Sequence, residues 1–109
     1  SMKFCIVYMT APSSTEAKTI ARHLLEEKLA ACINMVGSVQ SIYTWNDQIT
    51  ADNEVILIAK TKEDNFEALK DAVIKIHSYD VPCVLKLSIS DGNKKYLQWL
   101  DKNCIIPTI

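Results

Sequence analysis

Glycine is scarce in this 109-residue chain, which contains two glycines and three prolines. A loop that cradles phosphate groups depends on several glycines, because its backbone must approach the phosphate oxygens closely. Such a loop is therefore not expected. The sequence also lacks a Ser/His/Asp order, a Cys–His pair with an orienting acid and a metalloprotease motif. These absences predict a protein that is not an enzyme, although separate chains can still assemble a site at an interface.

The chain also has no large excess of positive or negative charge, since 12 basic and 13 acidic residues give a formal net charge of −1. No run of Lys or Arg exceeds two residues, and without a basic patch a nucleic-acid partner is not expected.

No apolar run approaches the roughly 18 residues that span a membrane, so we expect no membrane insertion. Ser1 before Met2 is interpreted as the remnant of a tag. A single domain is predicted over residues 2–109.

The four cysteines show no Cys-x-x-Cys spacing. Cys5, Cys32 and Cys83 lie in apolar surroundings, whereas the turn-rich spacing of a small secreted disulfide framework is missing. The pattern predicts reduced thiols and a cytoplasmic protein. Cys5 and Cys32 are assigned to packing, and Cys104 is expected to oxidise if it is exposed.

A long hairpin is the feature around which the chain is organised. Two β-rich runs, residues 36–45 and 49–61, flank a polar break at residues 46–48. The second arm, at about 3.3 Å per residue, could reach about 40 Å. A compact chain of this length has a radius of gyration of only about 13 Å. Such a hairpin must project, curl or pair with another copy, and we interpret it as an oligomerisation arm.

Two more strands and three helices are predicted from local patterns. Residues 3–10 are continuously apolar, which is typical of a central strand. Ser13-x-x-Glu16 predicts a capping box that opens a helix running to about residue 31. Thr61-x-x-Asp64 predicts the start of a second helix, which ends near His77. Residues 83–90 alternate as a strand, and a short helix with one apolar side follows. The apolar side chains of that strand, assigned to one buried face, are Cys83, Leu85, Leu87 and Ile89; those of the helix are Tyr96, Trp99 and Leu100.

The resulting order is β-α-β-β-α-β with a short helix and an apolar tail, residues 103–109. It predicts an α+β, ferredoxin-like antiparallel sheet with both main helices on one face. The first strand and residues 55–59 are nevertheless apolar on both faces. No element of the chain is left to cover the second face, so self-association is predicted there.

Four segments, in order and covering nearly the whole chain, together resemble the CutA1 divalent-cation-tolerance family. They are Glu27-Lys28-Leu29-Ala30-Ala31-Cys32, Ser41-Ile42-Tyr43-x-Trp45, Glu54-Val55-x-Leu57-x-x-Lys60-Thr61 and Tyr96-Leu97-x-Trp99-Leu100. The resemblance implies a ferredoxin-like homotrimer whose ribbons pair across subunits. It also implies a role in divalent-cation tolerance and homeostasis and an association with copper and similar metal ions.

The resemblance suggests three metal-ligand positions: His77, Cys83 and Met9. His77, Tyr79 and Pro82 match the family pattern, whereas Met9 stands where the family often has Cys, and Cys83 where it often has Glu. Thioether, thiolate and imidazole together suit Cu(I). The alternative interpretation gives Met9 and Cys83 to the core and His77 to the end of a helix.

A second set of residues is assigned to the ribbon or to a cleft between subunits. In one interpretation these side chains pack or form ion pairs across subunits; in the other, Lys60 binds an anion. Two further functions therefore stay open: a PII-like small-ligand sensor with inter-subunit clefts, and a trimeric scaffold or anchor. The set comprises Tyr43, Trp45, Glu54, Lys60 and Tyr96.

Overall fold

The computed structural model describes residues 3–105. The sheet has four strands, and each pair of neighbours is antiparallel. In chain order the elements are β1 (Phe4–Ala11), α1 (Ser14–Glu26), β2 (Cys32–Trp45), β3 (Gln48–Lys62), α2 (Phe66–Ile76), β4 (Val84–Ile89) and α3 (Lys94–Lys102). The strand order β2-β3-β1-β4 confirms the ferredoxin-like α+β prediction. Residues 1–2 and most of the predicted apolar tail, residues 106–109, lie outside the described part.

The main core lies between the sheet and the helices α1 and α2. Alternate side chains of β1 and β3 point to this face, as the period of two requires. Burial of these apolar side chains is the main source of stability, at about 25 cal/mol per Å². The fully buried members include Val7, Met9, Leu57 and Ala59 from the strands and Ile20, Leu24, Leu69 and Val73 from the helices.

The helix boundaries agree only in part with the predictions. Ser13 caps α1 through its Oγ, which accepts a hydrogen bond from the Glu16 N–H at 3.1 Å. The other half of the capping box is wrong, because the Glu16 carboxylate accepts hydrogen bonds from Ser78 instead. Helix α1 also ends earlier than predicted, at Glu26. Lys28 then takes a φ of 56° and turns the chain towards β2.

Thr61 does not open the second helix. It lies within β3, where its hydroxyl donates to the Leu29 carbonyl at 2.6 Å and accepts from Asn65 Nδ2 at 3.3 Å. A single 3-10 turn, Glu63–Asn65, precedes α2 and has no side-chain cap. The predicted end of α2 is confirmed, since His77 is its C-terminal cap residue.

The long hairpin consists of 14 residues in β2 and 15 in β3. Asn46 and Asp47 form the two-residue turn with φ values of 49° and 62°, which these residue types tolerate best after glycine. The ribbon contributes to an elongated shape of 45 × 28 × 23 Å with a radius of gyration of 14.5 Å. Near its tip, Ile49 is 82% exposed and Trp45 is 59% exposed.

A β-bulge divides the hairpin into two parts, and the side chains of β2 change sheet face between them. Before the bulge, Met35 pairs with Leu57; after it, Tyr43 pairs with Thr50. The extra residue lies between Val36 and Val39. It moves the odd-numbered side chains of β2 from the helix face to the opposite face, because one residue of slip inverts the alternation.

The second face of the sheet is partly covered by α3, so the prediction that no element covers it is wrong at one end. There Leu100 is fully buried and packs in a small cluster with Phe4 and Cys104. The Lys62 ammonium reaches Asp101 of α3 at 2.7 Å. Cys104 is therefore a buried packing residue, not an exposed thiol in a tail.

The rest of the second face is open. Leu85 and Leu87 of β4 are 57% and 53% exposed, so the described elements of the single chain do not bury the apolar face predicted for this strand. They pair with Tyr8 and Ile6 of β1, whose side chains are half-buried. Among residues 3–105, no helix has the length and apolar character needed to cross a membrane.

Candidate functional site

A groove of about 390 Å³ lies between the ribbon and the loop that joins α2 to β4. The ribbon contributes two aromatic side chains and one carboxylate, and the loop contributes an aromatic side chain, a second carboxylate and a thiol. One residue at the end of β1 completes it. The lining residues are Thr10, Tyr43, Trp45, Glu54, Tyr79, Asp80, Val81 and Cys83.

His77 anchors the loop on one side of the groove. Its ring Nε2 donates a hydrogen bond to the Thr10 carbonyl at 2.8 Å, because a carbonyl can only accept. The other ring nitrogen, Nδ1, accepts from the Tyr79 N–H at 3.0 Å and lies 3.4 Å from Glu16 Oε2. The imidazole is fully buried, and the Tyr79 ring packs against it with centroids 4.8 Å apart.

Glu16 anchors the same loop from α1. Its Oε2 accepts from the Ser78 N–H at 3.0 Å and from the Ser78 hydroxyl at 2.9 Å. Two bonds to one carboxylate oxygen are charge-assisted and therefore stronger than neutral ones. The loop at the groove is thus attached both to α1 and to the end of β1.

The two tyrosines of the groove each donate a hydrogen bond to a carboxylate. The Tyr79 hydroxyl donates to Glu54 Oε2 at 3.2 Å, and the Tyr43 hydroxyl donates to Asp52. Burial, followed by the charge of Glu54, raises the pKa of Tyr79 to about 12. The hydrogen bond to Asp52 is the main cause that raises the pKa of Tyr43. Both tyrosines consequently stay neutral at physiological pH, in a negative field.

Cys83 lies just before β4, and it is half-buried at the groove rather than packed in the core. Burial raises the pKa of its thiol, and the Glu54 carboxylate raises it further. Both effects disfavour the thiolate, which is the nucleophilic and metal-binding form. Cys83 is therefore held as a neutral thiol, unlike the reactive cysteines of electropositive sites.

The predicted ribbon and cleft residues fall into two separate places. Tyr43, Trp45 and Glu54 line the groove. Lys60 is six residues further along β3, about 20 Å away at the usual rise per residue. Its ammonium lies 3.9 Å from Cys32 Sγ and 5.6 Å from the centroid of the Tyr96 ring. Lys60 and Tyr96 thus form a second cluster beside α3, and Cys32 is half-buried there rather than a core residue.

The comparison with protein families decides what kind of chain this is. A family model described as CutA1 divalent ion tolerance protein matches residues 5–103. The chain belongs to the CutA1 family. The family resemblance of its sequence motifs is thereby confirmed, and the family is one of divalent-cation tolerance proteins.

Two relatives illustrate how the family extends. The divalent-cation tolerance protein CutA of Thermus thermophilus is 44% identical over 98 residues, which are 90% of this chain and 95% of that protein. A chloroplastic protein CutA 1 of Oryza sativa is 44% identical over 95 residues, 87% of this chain. The chain spans only 54% of the length of this rice relative.

Solved CutA1 structures have the same fold. The crystal structure of CutA1 from Oryza sativa superposes with a TM-score of 0.94 at 40% identity and covers 96% of both chains. A structure described as the periplasmic divalent cation tolerance protein CutA from Archaeoglobus fulgidus gives a TM-score of 0.90 at 40% identity, over 92% of this chain and 97% of that one.

The three residues suggested as copper ligands do not fit a preformed metal site within one chain. Met9 is 1% exposed and packs in the main core on the helix face. Both ring nitrogens of His77 are already engaged in hydrogen bonds, and Cys83 is kept as a thiol. Within residues 3–105, no group of three or more His, Cys, Asp or Glu side chains is placed to hold a metal ion.

Sequence reasoning missed several residues of the groove and its support. Asp52 could have been found, because it lies two residues before Glu54 and so shares its face of β3. Glu16 had a local explanation as a capping residue, and no local signal connects it with Ser78, which is 62 positions away. Thr10, Asp80 and Val81 carry no motif that marks them as lining residues.

Proposed function

We propose that this CutA1 chain is a homotrimeric binding protein in copper and divalent-cation tolerance, that it is not an enzyme, and that it acts in the cytoplasm. Family membership supports the tolerance role. The proposed compartment is supported by the four free thiols, two of them buried in packing positions. The rice relative is described as chloroplastic and the Archaeoglobus fulgidus protein as periplasmic.

One observation carries the proposal of self-association: the open part of the second sheet face is apolar. Leu85 and Leu87 are each more than half exposed, whereas Ile42 and Ile49, which are 69% and 82% exposed, lie on the other face of the projecting ribbon. An open apolar sheet face usually marks an interface. A second and third copy of the chain would cover it, and the projecting ribbons would supply additional area.

Light scattering on a sizing column tests this assembly. We expect the wild type at three times the monomer mass of 12.3 kDa. Leu87→Glu should dissociate it, because a buried, unpaired charge at an interface is strongly unfavourable, and Trp45→Ala should weaken it. The matched control is Leu25→Glu on α1, whose side chain is similarly exposed at 40%, and it should leave the mass unchanged.

A wild type that is monomeric throughout the micromolar range would refute the proposed trimer. If the wild type is trimeric but Leu87→Glu and Trp45→Ala both leave it unchanged, the interface lies on another surface and the role assigned to the second face is wrong.

Direct copper binding is proposed here from the family resemblance alone, because the suggested ligands are not preformed in one chain. Of the three, only Cys83 is partly accessible. We therefore expect Cys83→Ser to weaken copper affinity most in a competition titration under reducing conditions. His77→Ala should change the affinity by less than about threefold, and Met9→Leu should leave it unchanged, a volume-conserving core substitution.

Circular dichroism of each variant controls for loss of fold in this titration. A well-folded His77→Ala variant that binds copper at least about tenfold more weakly than the wild type would show that His77 releases its hydrogen bonds to bind the metal. That result would overturn the conclusion that this histidine is structural.

A further inference from the structure

A second groove, of about 730 Å³, lies on the helix side of the sheet between α1 and α2. Its apolar lining comes from Leu29, Ala68, Ala72, Ile76 and Ile105. Ala68, Ala72 and Ile76 follow one another at intervals of four residues, so they lie along one face of α2. This α1–α2 groove faces away from the second sheet face, so an assembly through that face leaves it uncovered.

The described chain ends at one end of this groove. Ile105 is 55% exposed, and its backbone N–H donates to the Lys28 carbonyl, just after α1, at 3.1 Å. Because β1 and β3 are antiparallel, the helices that follow them also run in opposite directions. The last turn of α1 and the first turn of α2 therefore lie at the same end. The residues after Ile105 start there, beside Leu29 and Ala68.

We propose that the 106–109 segment, Ile106-Pro107-Thr108-Ile109, binds in the α1–α2 groove of its own chain and ties the end of α3 to both helices. The lengths agree. The groove follows α2 from Ala68 to Ile76, about 12 Å at the usual helical rise, and the segment spans about 13 Å when extended. Pro107 cannot continue a helix and favours an extended backbone at the residue before it.

The chemistry of the segment also matches the groove. Residues 105–109 include three isoleucines and no charged side chain, so their burial removes apolar area from water without stranding a charge. Glu27, Asp71 and Lys75 line the groove as exposed side chains and can keep their charges in water at its rim. A free peptide would have to compete with a segment tethered at Ile105, whose effective concentration is about millimolar.

Amide exchange at Ile105, followed by NMR, tests this contact. The hydrogen bond to Lys28 protects this amide, and a bound 106–109 segment keeps that bond closed. Replacing both isoleucines of the segment, Ile106→Ser with Ile109→Ser, retains its length but removes its apolar side chains. We expect this double variant to exchange the Ile105 amide at least about tenfold faster than the wild type.

Ile76 and Ile74 provide a matched pair of positions on α2. They are 37% and 48% exposed, and of the two only Ile76 lines the groove. Ile76→Ser should speed exchange at Ile105 at least about threefold, whereas Ile74→Ser should leave it unchanged. In the double variant of the 106–109 segment, Ile76→Ser should add nothing, because the contact between them is already lost.

Mixed samples distinguish a chain's own groove from that of a neighbouring copy. Wild-type chains labelled with ¹⁵N are refolded together with an excess of unlabelled Ile76→Ser chains. The labelled Ile105 amide should exchange as slowly as in the pure wild type, because each segment finds the intact groove of its own chain. Exchange at the rate of Ile76→Ser would show that the segment binds a neighbouring copy, and would overturn the proposal.

Exchange at Ile105 that the double variant leaves unchanged would also overturn it, and so would equal effects of Ile76→Ser and Ile74→Ser. The inference goes beyond the proposed tolerance function, and light scattering on the same samples separates the two. A trimer whose Ile105 exchange is independent of the 106–109 segment refutes only the groove contact. A monomer whose exchange depends on that segment refutes only the assembly.

Discussion

Among single residues, His77 shows how hydrogen bonding decides whether a histidine is free to bind a metal or is a structural residue. Its ring donates to the Thr10 carbonyl and accepts from the Tyr79 N–H, so both nitrogens are engaged in a neutral tautomer. Glu16 holds the adjacent Ser78. Together these bonds attach the loop that carries Tyr79 and Cys83, and the histidine positions the groove instead of lining it.

The raised pKa of Tyr79 predicts how stability depends on pH. Its pKa is about 12 in the folded chain and about 10 when unfolded. The stabilisation associated with this neutral phenol is therefore complete below about pH 10 and is lost as the pH rises towards 12. We expect the free energy of unfolding, measured by urea denaturation, to fall more steeply over this window in the wild type than in Tyr79→Phe.

Glu54→Gln is the companion variant, because it removes the second cause of the shift. It should bring the absorbance titration of tyrosine to lower pH, although burial, the larger cause, remains. Identical alkaline profiles for the wild type and Tyr79→Phe would show that the phenol contributes nothing in this range.

At the scale of elements, the β-bulge in β2 and the position of α3 determine the surfaces. The bulge places Tyr43 and Trp45 on the same face as Glu54; without it, the aromatic side chains would point to the opposite side of the ribbon. Helix α3, which follows β4, closes one end of the second face with Leu100. The β-bulge thus places the aromatic side chains of the groove, and α3 limits the extent of the open apolar face.

Leu100 tests how strongly α3 is held. Since its side chain is fully buried, Leu100→Ala removes buried apolar area and leaves a cavity, and we expect it to cost about 2–5 kcal/mol in the free energy of unfolding. Chemical denaturation measures this loss. The control is Leu25→Ala on α1, which is 40% exposed and should cost much less. Similar losses in the two variants would mean that α3 contributes little to the core.

For the whole molecule, the exposed second face and the projecting ribbon suggest that one chain is an incomplete unit. Leu85, Leu87 and Ile49 are all more than half exposed, and burial of such side chains would contribute about 25 cal/mol per Å². Folding and assembly would then be linked, so that the stability of the protein depends on its concentration.

Thermal unfolding at several concentrations measures this linkage. If a trimer unfolds to three separate chains of 109 residues, an enthalpy of about 0.7 kcal/mol per residue gives a rise in Tm of roughly 4 °C for each tenfold increase in concentration. The Leu87→Glu variant, if monomeric, should show no such rise. A wild-type Tm that is independent of concentration would contradict unfolding linked to assembly.

The sequence by itself determined the elements and the family. Apolar periodicity, the Ser13 cap and the Asn46–Asp47 turn act over a few residues, so they could be predicted locally, and the order of the elements then gave the ferredoxin-like sheet. Tertiary structure decided which residues meet. It brought Glu16 to Ser78, placed Lys60 beside Cys32 and Tyr96 and, at one bulge, moved the ribbon's aromatic side chains to the opposite face. Such contacts join positions far apart in the chain, and local patterns state which face is apolar but not what covers it.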